Sequence, residues 1–229
     1  MFTRTTQSQV PRAPATSARH ATRTVVAALG LVTAFAGLEH GVGELTQPST
    51  DPGSLFIESW PHVAAFEPLG GEPAMTLIPD LRVSGVVTIL FSLALGWWAV
   101  RARARRRDGW LLLGLSVVLL LVGGGFGPPL LGLLLGYAML RAVPSRPLAR
   151  PPGTARRALG RRWRQLLVLT VSSFLALFPG MVLLRWWTGI DGSWLPALLT
   201  PAAFTALVLT LVAALAHDRT AGTSPEVER

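Results

Sequence analysis

The sequence predicts an all-α fold: a polytopic transmembrane bundle of about six helices. Three observations predict it. Half of the 229 residues are hydrophobic and only 14% are charged, and a mean hydropathy of +0.46 is unlike that of a soluble domain of this length. The charges are also sorted by sign. Seven acidic residues and no basic one lie between Glu39 and Leu81, whereas five arginines lie between Arg101 and Arg107 and eight between Arg141 and Arg164. Long apolar runs separate these blocks. Arginine-rich loops stay on the cytoplasmic side, so both termini are expected inside and the acidic segment outside, in a bacterial plasma (inner) membrane.

A hydrocarbon core roughly 30 Å thick takes about 20 helical residues. On that measure a basic cytoplasmic tail, residues 1–23, leads into a single membrane domain, residues 24–216. Its spans are expected at 24–43, 83–100, 110–126, 128–143, 166–187 and 194–216, with a cytoplasmic tail at 217–229. Trp97, Trp98, Trp110 and Trp163 fall beside the arginine loops, and Trp186, Trp187 and Trp194 flank the opposite turn, as interfacial aromatic belts require. Arg4, Arg12, Arg19 and Arg23 before an apolar stretch ending Ala34-Phe35-Ala36 also resemble a secretory signal. The long basic leader and the glycine pattern running on to Gly43 favour an uncleaved first span.

Ser84, Thr88, Ser92 and Gly96 recur every four residues in the second span, as do Gly132 and Gly136 in the fourth. Small residues let helix backbones approach where lipid is as apolar as leucine, so these faces should point into the bundle. Pro179-Gly180 should kink the fifth span.

The outer loop, residues 44–82, is expected to form an extracytoplasmic lid of roughly 35–40 residues, too long for a bare turn. Ser59 could cap a short helix with Pro61 in its first turn. Arg82 could pair with Asp80, Glu39 or Glu44.

The absence of cysteine and lysine removes disulfides, thiolate and Schiff-base chemistry and a P-loop lysine. No hydrolase elbow, zincin helix, dinucleotide loop, haem-placed histidine pair or internal repeat is present. The net charge of +9 belongs to short loops beside apolar spans, so the partners expected are the bilayer and its anionic headgroups, and not nucleic acid. Arg101, Arg103, Arg105, Arg106, Arg107, Arg156, Arg157, Arg161 and Arg162 would make those lipid contacts.

Chemistry concentrates in two places. Glu39, His40 and Glu44 close the first span, Glu39 lying about 21 Å beyond Val25 and so short of a full crossing. Ionisable groups at such depth are costly and usually functional. His40 and Glu44, four apart on the small-residue face, could hold a divalent metal or pass a proton. A third ligand would come from His62, Glu39, Glu58, Glu67 or Glu72, with His40, Glu44 and His62 the metal set considered first. The second place is the hairpin tip Gly123, Gly124, Gly125 and Gly127 between two short spans, whose free amides could hold an anion or substrate group.

The blocks Glu39-His-Gly-Val-Gly-Glu44, Glu58-Ser-Trp-Pro61, Gly70-Gly-Glu-Pro-Ala-Met-Thr-Leu-Ile-Pro79 and Gly123-Gly-Gly-Phe-Gly-Pro-Pro-Leu-Leu-Gly132 resemble a group of bacterial multi-pass membrane proteins. The resemblance covers residues 28–142; the last two spans match only in hydropathy. It implies the topology and a shared outer site, and carries no reaction.

The first expectation is a transport-related protein or membrane partner of another protein with an outer-leaflet site, without covalent chemistry. A rival is a membrane-embedded metal-dependent enzyme using His40, Glu44 and a lid residue, with metal-bound water as nucleophile. A third is a structural or stress-response subunit without ligand. No cofactor is expected apart from that metal.

Overall fold

The computed structural model describes residues 20–143, 153–190 and 192–221. Residues 1–19 of the expected N-terminal tail, most of the loop holding Arg146 and Arg150, and the end of the C-terminal tail lie outside the described residues, while residues 20–23 of that tail already belong to the first helix. The molecule is mostly helical, with α1 (His20–Thr46), α2 (Leu81–Arg101), α3 (Arg106–Leu121), α4 (Gly127–Ala142), α5 (Thr154–Arg161), α6 (Trp163–Leu175), α7 (Met181–Thr188) and α8 (Leu195–Ala221). Among the described residues, four rods are long and apolar enough to cross a membrane: α1, α2, the continuous stretch Trp163–Thr188, and α8. The other two, α3 and α4, have 16 residues each and rise only about 24 Å.

Large apolar side chains on the outer helix faces, such as Leu90, Leu93, Leu130, Val168 and Leu198, are exposed, as lipid-facing positions are. α1 is the central element, touching α2, α4, α6 and α8. It packs most extensively against α2, and the small residues explain why. A Cβ on Gly41 would come within 2.8 Å of the Gly85 carbonyl oxygen, so two backbones nearly touch there. Ser84, Thr88 and Ser92 are fully buried on the facing side. Gly132 and Gly136 likewise accept Ser116 and Leu113 of α3.

One end of the bundle gathers the arginines. Asp218 of α8 accepts hydrogen bonds from the amides of Ala21 and Thr22 (3.0 and 2.9 Å), capping α1 with a carboxylate where its dipole is positive. Asp108 does the same for the turn before α3, accepting from the amides of Arg103 and Arg105. α5, an arginine-rich helix within the expected loop, lies against α8, with Gly160 close to the His217 backbone. The nine arginines expected to meet lipid are all exposed, and the Arg101 guanidinium sits 3.7 Å from the centroid of the Trp97 ring.

The opposite end carries the lid. Strands β1 (Phe56–Glu58) and β2 (Pro73–Met75) pair antiparallel, Ile57 opposite Ala74, so among the described residues the fold is all-α apart from this two-stranded ribbon and one isolated bridge, Thr76–Val122. Between them a 3₁₀ turn spans Ala64–Leu69. The helix expected after Ser59 is absent: the turn begins later, at Val63, whose side chain makes no capping bond, and the Ser59 hydroxyl is taken by His40. Among the described residues Arg82 makes no ion pair with Asp80, Glu39 or Glu44 within 4 Å, although its charge acts on Asp80. Its Nε donates to the Gln47 carbonyl (3.0 Å), while Asp80 caps α2 through the Val83 amide (2.9 Å) and accepts the Ser49 hydroxyl (2.5 Å).

The lid is tied down on two sides. Gln47 Nε2 donates to the carbonyls of Glu58 and Ser59, and Arg185 of α7 meets Glu67 (3.0 Å) and the Ala64 carbonyl (3.3 Å). The Leu77 amide donates to the Leu121 carbonyl (2.9 Å), joining the lid to the hairpin tip. Around Pro179 the fifth rod does not simply kink. It relaxes into a π-helical turn, Ala176–Gly180, which absorbs the missing backbone bond.

Candidate functional site

The last turns of α1, the lid and the hairpin tip meet at one point. His40 and Glu44 are fully buried there, at 1% and 0% exposure. Gly123 and Gly125 close over them: a Cβ on Gly123 would overlap the Glu44 carboxylate, and one on Gly125 would overlap the His40 ring. Both glycines have positive φ, 110° and 70°, so the close approach and the backbone conformation each require glycine. Gly124 is buried against Leu119, and Gly127, at the start of α4, has open space around its Cα.

His40 has both ring nitrogens engaged. Nδ1 is 2.8 Å from Ser59 Oγ, and Nε2 is 3.3 Å from Glu72 Oε2. Glu39 completes the group, since one ligand-type atom each from Glu39, His40 and Glu72 lies within 4.8 Å of the others. Neither Glu39 oxygen has a hydrogen-bond partner among the described residues, though both are shielded from solvent. The Trp60 indole, stacked on Phe66 (4.6 Å between centroids), lies beside that carboxylate without reaching hydrogen-bond geometry. A buried carboxylate without a partner costs several kcal/mol if charged, so a counter-ion or proton is needed to hold it.

The metal set expected from the sequence is therefore rearranged. His40 stays, but Glu44 lies under Gly123 beside Ser84, and His62 is exposed and outside the cluster. Glu44 shares a helix face with His40, but its carboxylate turns toward α2 and the tip, under Gly123 and beside Ser84, while His62 sits on the outside of the lid. The Ser84 hydroxyl donates to the Val122 carbonyl (2.8 Å) and receives Thr76 (2.8 Å), so its one proton is not free for Glu44, whose two oxygens also have no partner among the described residues.

Glu72 is delivered by the ribbon. The Ser59 amide donates to the Glu72 carbonyl (3.0 Å) and the Trp60 amide to that of Gly71 (2.9 Å), extending the β1–β2 ladder. Glu72 itself has φ 56°, left-handed for a residue with a Cβ. That costs on the order of 1–3 kcal/mol and persists only where the surroundings enforce it. Sequence reading named Glu72 among several third donors and missed Ser59 as the partner of His40. The available signal was a carboxylate after two glycines and before a proline.

No protein-family model, curated protein or solved structure matches the chain.

Beside the cluster lies a cavity of about 320 Å³, within the lower range of small-molecule sites. Its walls are apolar: Ala36 of α1, Leu131 of α4, Phe178 of the π turn and Phe204 of α8. His40 and Glu72 close its lid end, with the Phe178 ring 6.3 Å from the imidazole. The tip offers an anion few donors, because the Gly124 amide bonds the Leu119 carbonyl (2.9 Å) and Pro128 and Pro129 carry no N–H.

Proposed function

We propose that this chain is a bacterial plasma-membrane protein whose six helical rods cross the bilayer with both termini cytoplasmic, and that it is a metal-dependent membrane enzyme. The divalent cation would be held by Glu39, His40 and Glu72 at the outer end of α1. The topology is supported by the collection of arginines at one end of the bundle and of the acidic lid at the other. The short α3 and α4 would be accommodated by local thinning and by the lid over their tip.

One observation carries the metal reading: two carboxylates and an imidazole converge within 4.8 Å while the Glu39 oxygens are shielded and unpartnered among the described residues. A cation would neutralise that buried charge. The Ser59 contact fixes Nδ1 and leaves Nε2 facing the carboxylates, the arrangement in which a hydroxyl orients a ligating ring. Held by these three residues, a divalent cation would supply Lewis-acid chemistry, activating water and polarising a substrate oxygen.

The test is elemental analysis of the detergent-purified protein beside Glu39→Gln, His40→Ala and Glu72→Gln variants matched for monodispersity. Near-stoichiometric zinc, manganese or iron, lost in all three and kept in His62→Ala, is the expected result. A metal-free wild type ends this reading. A second reading, a transport-related or membrane-partner protein without covalent chemistry, is favoured by the apolar character of the cavity, and it predicts ligand-dependent stabilisation with no metal bound.

A further inference from the structure

We infer that the cavity beside the cluster seats the hydrocarbon chain of an anionic amphiphile drawn from the bilayer, with its phosphate or carboxylate headgroup on the cation. This rests on the metal reading for the headgroup end and on the cavity for the chain.

Depth is the first argument. The α1 residues on the cavity, Val32 to His40, lie roughly 18–30 Å along a helix about 40 Å long, so the chain site sits in the lid-side half of the span, at acyl depth. Access is the second. Phe35 and Leu175, which line the cavity, are 50% and 43% exposed, and Phe126 at its edge is 43% exposed. The mouth is thus on the lipid-facing side of the bundle, between α1 and α4 on one hand and the π turn and α8 on the other. A water-soluble substrate would have to cross the lid, whereas a lipid chain would slide in sideways.

Polarity is the third argument. The cavity changes from apolar to charged along its length, with His40 and Glu72 at one end only. That gradient matches an amphiphile and does not match a wholly polar solute. An anionic head suits this end because the cation would receive it there: the prolines at the start of α4 remove amide donors, and among the described residues no arginine lines the cavity to compete for it. The π turn at Pro179 places Phe178 against this junction, where it bounds the space between head and chain.

Hexadecyl phosphate is the probe. In a maltoside detergent with Mn²⁺, saturating hexadecyl phosphate should raise the wild-type melting midpoint by roughly 5–10 °C, and hexadecanoate should do so if carboxylates serve as well. Hexadecyltrimethylammonium should not. Ala36→Trp, which fills the cavity, should abolish the shift while retaining bound Mn²⁺. Thr200→Trp, at the exposed wall on α8, repeats that test with a milder substitution should Ala36→Trp fail to fold.

A wild type that binds Mn²⁺ but gives no shift overturns the lipid inference and leaves the metal reading standing. A shift undiminished in Ala36→Trp and Thr200→Trp, or equal with the cationic amphiphile, overturns the cavity seat or the headgroup choice. Absence of bound Mn²⁺ in the wild type removes the metal reading and this inference with it.

Discussion

Gly125 closes so tightly over His40 that a methyl group at residue 125 would occupy the space of the imidazole Nε2. The hairpin tip is in this sense a cover made of backbone. Gly125→Ala should therefore both strain a left-handed residue and displace His40, lowering stability by about 1–3 kcal/mol. Gly127→Ala, two residues on and in open space, should be neutral or slightly stabilising. Thermal melts of the pair check the sign, and equal effects would mean the tip does not rest on the ring.

Asp218 should matter out of proportion to its place near the chain's end, because it caps the central helix from α8. Asp218→Ala should destabilise by about 0.5–2 kcal/mol, with Asp218→Asn recovering part of the loss. Chemical denaturation in mixed micelles reads this, and an unchanged midpoint for Asp218→Ala would dismiss the cap.

The Arg185–Glu67 pair ties the lid to α7, yet its side chains are 23% and 61% exposed. A double-mutant cycle should give a coupling of only about 0.2–1 kcal/mol, reduced by salt. The sharper effect of Arg185→Ala should be faster proteolytic nicking of residues 60–72. Unchanged cleavage would show that Arg185 does not hold the lid.

Asp80 supplies a pH dependence. The Ser49 hydroxyl first, and then the Val83 amide, hold its carboxyl below the ordinary aspartate value. A carboxyl that is more acidic folded than unfolded contributes stability above the unfolded value and loses it as pH falls through the folded one. The wild-type midpoint should accordingly drop below about pH 4, and Asp80→Asn should lack that component. Parallel pH profiles for the two proteins would refute the assignment.

Much of the helical frame is legible because apolar period and length are local properties. The four-residue spacing of Ser84, Thr88, Ser92 and Gly96 identifies the face that meets α1, and Pro179-Gly180 marks the irregular turn. The lid is less legible. Ser59 reads as a cap because Pro61 fits the first turn of a helix, but the ribbon register that gives it to His40 is set by Glu58 standing opposite Pro73, a pairing no local rule determines. Glu72 is hidden for the same reason. Glu44 misleads because i, i+4 spacing puts it near His40 along the helix without saying which way its carboxylate turns once Gly123 covers it. The spans also start earlier than hydropathy indicates: α1 at His20 and α3 at Arg106, since caps from Asp218 and Asp108 extend them into charged sequence.

Two of the cluster's three donors, Glu39 and His40, are fixed in α1, and the third, Glu72, rides on the lid. Whatever requires all three binds only the docked lid, and its binding energy adds to the hydrogen bonds that keep the lid down. Linkage makes the converse equally true: a substitution at Gln47, Ser49 or Arg185 that loosens the lid weakens the occupant in proportion to the fall in the docked fraction. Residues that never touch the cluster thus share in setting how often it is filled.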